Sequence, residues 1–117
     1  MSKIKDNVDL KELEKFNFRL KHNNIIHTTY YVRPKDKNLH KKFADKNLKE
    51  EYQNNILSGN DVVAVISDSS NPYWYKRVYI IKKQNNCDLE YPFSKVSEND
   101  INDLITSGMV EKVVEDE

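Results

Sequence analysis

The chain has 117 residues, 38% hydrophobic and 32% charged, with twelve aromatic side chains; this is material for one folded domain spanning 1–117 and for one modest core. Nineteen basic and nineteen acidic residues cancel, yet residues 19–49 carry nine Lys/Arg against two Asp/Glu and residues 84–117 carry two against nine. A single cysteine, Cys87, excludes an internal disulfide framework, and the absence of a long apolar run excludes a signal-peptide core or membrane span, so the expected location is a reducing cytoplasm.

Residues 1–7 are expected to fray. Asp9 is a predicted N-cap for a helix over residues 10–16, with Glu12 completing a capping-box-like pattern and Leu10, Leu13 and Phe16 forming one apolar face. Residues 25–32 are β-branched and aromatic and predict a strand that stops at Arg33-Pro34. Between residues 37 and 57 there is neither Gly nor Pro. Leu39, Phe43, Leu48, Tyr52 and Ile56 recur among lysines there, which predicts one long basic helix closed by Gly59. Residues 62–66 form an uninterrupted apolar run, expected as a central strand. The turn signal at residues 68–72 then makes residues 73–83 its antiparallel hairpin partner. Residues 84–86 turn the chain and residues 88–93 predict a short edge strand interrupted by Pro92. Ser97 and Asp100 open a helix with Ile101, Leu104 and Ile105 on its apolar stripe. Gly108 ends it, residues 109–114 return as a strand or extended tail, and 115–117 fray. The expected fold is α+β: an antiparallel sheet packed by an N-terminal helix, a long basic helix and a C-terminal helix.

Three further stretches stand out: Asp9-Leu-Lys-Glu-Leu-Glu-Lys-Phe-Asn-Phe18, the Tyr-rich Tyr73-Trp-Tyr-Lys-Arg-Val-Tyr79 and Asp100-Ile-Asn-Asp-Leu-Ile-Thr-Ser-Gly-Met-Val-Glu-Lys-Val113. In these the chain resembles small α+β accessory proteins of bacteriophages and prophages of low-GC Gram-positive bacteria. The resemblance implies a shared fold built around a small antiparallel sheet and a mobile-element origin, and it brings no catalytic residues with it. Asn17 stands where that pattern has Gly, and the basic segment near residues 37–57 looks like an insertion relative to it.

Catalytic chemistry finds few parts. Two glycines, Gly59 and Gly108, cannot build a phosphate-cradling loop. His22, His27, His40 and Cys87 lack metal-ligand spacing, and the paired carboxylates Glu50-Glu51, Asp88/Glu90 and Asp100/Asp103 sit among solvated charge. No catalytic residue, metal or cofactor is therefore expected, and the chain is read as a non-enzymatic binding protein. The candidate contact residues are Arg33, Lys35, Lys41, Lys42, Lys46 and Lys49 from the basic block, with Trp74 and Tyr75 as aromatic anchors. Lys42, Lys46 and Lys49 fall at i, i+4 and i+7, one face of the predicted helix. The expected function is stoichiometric contact with a host or viral protein in a bacterial cell, such as inhibition of a host defence nuclease complex in the manner of an anti-CRISPR. A small nucleic-acid-binding regulator using the basic helix 35–49 is the alternative. The acidic C-terminal block is readable as a phosphate mimic, a solubility tail, or an internal partner of the basic block.

Overall fold

The computed structural model describes residues 2–24, 27–82 and 93–113. Five strands, β2 (Arg19–Asn23), β3 (Thr28–Pro34), β4 (Asp61–Asp68), β5 (Val78–Lys82) and β6 (Phe93–Lys95), pair antiparallel in the order β2-β3-β4-β5-β6. Sequence neighbours are therefore spatial neighbours throughout. Two further strands, β1 (Ser2–Ile4) and β7 (Val110–Lys112), form a separate antiparallel ribbon, tied to the main sheet by a bridge between Lys3 and Arg77. The α+β class and the antiparallel sheet are as expected from the sequence.

Strand alternation sends side chains to two faces, and each face has its own core. Tyr31, Val63, Val65, Val78 and Ile80 meet Ile4, Leu10, Leu13, Phe18, Ile101, Leu104 and Met109, so the N-terminal and C-terminal elements cover one side. Tyr30, Val32, Val62, Ala64, Ile66, Tyr79 and Ile81 meet Phe43 and Leu57 on the other. Because β4 is buried on both faces, its apolar run is continuous rather than alternating, as a central strand requires.

Several expectations are corrected. The N-terminus is not frayed from residue 2 onward: Ile4 is fully buried and β1 pairs with β7. The segment Leu10–Phe16 is a 3₁₀ helix, capped by the Asp9 carboxylate on the Lys11 amide at 3.0 Å and closed by Asn17 at φ 69°. Asn accepts this left-handed turn more readily than most residues, which suits it to the position that closes the helix. Strand β3 continues through Arg33 and Pro34, because Pro34 lies past the end of β2 and opposite Val62, where its missing donor costs no ladder bond to β2.

The long basic helix does not form. Residues Lys37–Leu39 make a 3₁₀ turn, α1 is only His40–Phe43, and α2 is Glu50–Leu57. Asp45 breaks the run: its carboxylate accepts from the Asn47 amide at 2.9 Å while its carbonyl accepts from Leu48 at 3.0 Å, a local turn that competes with helix. Similarly, β5 starts at Val78 instead of Tyr73. Asn71 caps a 3₁₀ turn at Pro72–Trp74, and Lys76 at φ 64° reorients the chain before the ladder begins. The C-terminal helix has its capping box, with Ser97 and Asp100 in reciprocal contact, and runs through a 3₁₀ turn (Glu98–Ile101) into α3 (Asn102–Thr106). Gly108 at φ 79° then sends the chain into β7. The turn at 84–86, most of the strand expected at 88–93, and the end at 115–117 lie outside the described residues. Among those described, no helix is long and apolar enough to cross a membrane.

Candidate binding surface

The eight candidate contact residues do not form one patch. In the β3–β4 register, Pro34 faces Val62 at one end and Thr29 faces Asp68 at the other. Lys35 follows the first end, and its amide bonds the Asp61 carbonyl at 2.9 Å. Trp74 and Tyr75 lie beyond the second, in the connection from β4 to β5. Roughly 20 Å of strand, at about 3.3 Å per residue, separates them.

Arg33 is removed from the surface altogether. At 1% exposure it is among the largest fully buried side chains, on the same face as Tyr31. Its Nη1 donates to Asp103 Oδ2 at 2.7 Å and to the Phe16 carbonyl at 2.9 Å; its Nη2 donates to Asp103 Oδ1 at 2.9 Å and to the Asp100 carbonyl at 3.0 Å. The guanidinium also lies 4.4 Å from the centre of the Phe18 ring. Burial pushes the Asp103 carboxyl up, but the paired Arg33 hydrogen bonds and charge, with backbone amides, hold it below its usual value. Here the basic and acidic blocks meet inside the fold. Lys35 extends the contact outward, with Nζ 4.0 Å from Asp100.

The remaining lysines stay outside. Lys41 and Lys42 are exposed on α1, Lys46 is exposed in the turn that follows, and Lys49 precedes α2 as its N-cap residue. The helical face inferred for Lys42, Lys46 and Lys49 is therefore absent, but all three remain on one solvent-facing lobe. None of Lys37, Lys41, Lys42, Lys46 or Lys49 forms an ion pair among the described residues. The two acids in the lobe are turned to backbone duty: Asp36 accepts from the Asn38 amide at 2.9 Å, and Asp45 from Asn47.

Two residues outside the eight candidates hold this lobe against the sheet. Arg19 donates to the carbonyls of Phe43 and Ala44, each at 3.1 Å, at the end of α1, and to that of Asp45 in the turn that follows. Lys21 donates to Asn54 Oδ1 in α2 at 2.5 Å. Their spacing of two along β2 was the available signal, since it sends both cations to one face.

The aromatic set divides as well. Tyr79 is core, and Trp74 is half-buried against it with ring centres 5.2 Å apart. Tyr73 and Tyr75 are displayed, at 47% and 44% exposure. The Arg77 guanidinium sits 4.1 Å from the Tyr73 ring centre. Tyr75 borders an open cleft of about 450 Å³ together with Lys76, whose ammonium is occupied by the carbonyls of Lys5, Asp6 and Val8 at 3.1, 3.1 and 2.6 Å.

The histidines do not converge. His22 Nδ1 is 2.7 Å from Thr29 Oγ1, His27 lies in the β2–β3 connection, and His40 Nε2 donates to the Pro34 carbonyl at 2.8 Å at the opposite end of β3. Burial and the nearby Arg33 charge lower the His40 pKa, consistent with a neutral ring in that contact. Among the described residues no cluster of three His, Cys, Asp or Glu could hold a metal ion, and Cys87 lies outside them. No known family, curated protein or solved structure matches the chain.

Proposed function

We propose that this chain is a non-enzymatic binding protein of phage or mobile-element origin, acting in the cytoplasm of a bacterial host through stoichiometric contact with an acidic protein surface. The observation that carries this reading is the lobe at residues 36–49, in which Lys37, Lys41, Lys42, Lys46 and Lys49 have no ion-pair partner among the described residues while its two aspartates, Asp36 and Asp45, are committed to backbone amides. A charge that is neither buried nor paired contributes little to folding, so its accumulation on one lobe suits an external anion. Arg19 and Lys21 hold the lobe on the sheet, which lowers the ordering cost of docking. A host defence nuclease complex is the proposed target class, contacted at an acidic protein surface.

The test is a purified complex. The chain should recover one dominant host protein at near-equal stoichiometry, and Lys42→Glu, Lys46→Glu and Lys49→Glu together should weaken that complex by at least about tenfold without shifting the thermal transition. Capture that survives the triple reversal would refute the lobe as the contact. Tight binding to duplex or single-stranded nucleic acid, with a steep loss of affinity on raising salt, would replace this reading by the nucleic-acid one.

A further inference from the structure

Among the described residues, the sheet ends at β2. This strand pairs with β3 on one side, and no described strand pairs with its other side. An unpaired edge presents a row of backbone donors and acceptors that another extended segment can complete. The two faces of this edge differ in chemistry. On the helical face Arg19 and Lys21 border a groove of about 430 Å³ between β2 and α2. Both cations are held by neutral acceptors, backbone carbonyls for Arg19 and an amide oxygen for Lys21, and neither forms an ion pair among the described residues. Their charge is therefore uncompensated beside the edge, apart from the single carboxylate of Glu50 in the groove lining. On the opposite face Leu20, paired with Tyr31, is 56% exposed, the most exposed large apolar side chain described.

A second copy of this chain fits poorly there. Antiparallel pairing of β2 with itself centred on Lys21 sets Lys21 opposite Lys21, and pairing centred on Leu20 sets Arg19 opposite Lys21; like charges directly opposite are destabilising. An added strand of period two would instead direct every other side chain toward Arg19 and Lys21 and the intervening ones toward Leu20.

We propose that β2 is a strand-addition site for an extended segment of a partner protein in which acidic and apolar residues alternate. This deepens the protein-binding reading above and rests on it, adding backbone pairing to the charge contact made by the neighbouring lobe. The probe is a terminally blocked peptide alternating glutamate with valine, titrated to millimolar concentration into the full chain, with a lysine-for-glutamate peptide as control. The expected result is slowed amide exchange and shifted amide resonances across Arg19–Asn23, absent with the control peptide. Lys21→Glu should weaken binding about tenfold, measured at a temperature where its own thermal unfolding curve shows the variant fully folded. Failure to bind, or binding that perturbs residues 41–49 and leaves β2 unprotected, would overturn the edge site, as would a β2-to-β2 dimer of the free chain. The broader reading fails by a different result, namely partner capture unaffected by reversal of Lys42, Lys46 and Lys49.

Discussion

A cation next to a proline at the end of a predicted strand reads as a surface residue, and Arg33 shows how that reading fails. Alternation alone would place Arg33 on the face of Tyr31, but nothing in the chain announces that Asp103, seventy positions on, will meet it there. The cost of separating this pair is asymmetric. Arg33 is 1% exposed, whereas the Asp103 side chain is 43% exposed and keeps access to water. Removing the carboxylate strands a buried charge; removing the guanidinium leaves a carboxylate that water can solvate. Asp103→Ala should therefore destabilise the fold by roughly 2–3 kcal/mol, and by more than Arg33→Met, in denaturant titrations. Equal losses would show that the two groups share the penalty. The pH dependence has a fixed sign. The Asp103 pKa in the fold lies below its usual 3.8, so the pair's contribution is complete above about pH 5 and is lost as pH falls through the folded value. Asp103→Asn should remove that part of the acid sensitivity, measured as the change in unfolding midpoint between neutral and acidic buffer.

At the scale of elements, the sequence was most legible where burial imposes a pattern. The five-residue apolar run of β4, its antiparallel pairing with β5 (though β5 begins at Val78, not at residue 73), and the Ser97–Asp100 box read correctly, because each is set by local chemistry. The basic helix did not. Its apolar spacing suited a continuous helix, and the local Asp45 turn that breaks it is held by an interaction that is not local: Arg19 takes the carbonyls of Phe43, Ala44 and Asp45 from a strand some twenty-five residues earlier. Strand β2 itself escaped notice because Arg19-Leu-Lys-His-Asn23 has little β propensity and owes its state to pairing with β3. The candidate surface was legible as lysines and illegible as geometry for the same reason. Arg19→Met should thus cost about 1–2 kcal/mol, the scale of lost charged hydrogen bonds in a partly exposed site. It should also raise amide exchange selectively in residues 40–57. Unchanged exchange there would show that Phe43 and Leu57 anchor the lobe without Arg19.

For the whole molecule, the informative feature is how the β1–β7 ribbon is fastened to the sheet. Residues 2–8 are attached three ways: Ile4 is fully buried in the core and its amide bonds the Lys76 carbonyl at 2.9 Å, the Lys5 amide bonds the Met109 carbonyl at 2.9 Å, and the Lys76 ammonium holds the carbonyls of Lys5, Asp6 and Val8. Lys76 accepts a positive φ of 64° to do so. If these contacts secure one cooperative arm, releasing it at one point weakens the rest, and the energies will not add. Ile4→Ala should cost about 3 kcal/mol from lost burial and the cavity left behind. Lys76→Met should cost about 2–3 kcal/mol, since it keeps the apolar stem and leaves three carbonyls without their charged donor. In the double variant the loss should fall short of the sum by about 1 kcal/mol or more, because once the arm has peeled from the sheet the second contact has little left to hold. Guanidinium titrations of the four proteins measure this directly. Strict additivity would mean that Ile4 and Lys76 stabilise separate regions, and that the β1–β7 ribbon and the sheet do not unfold as one cooperative unit.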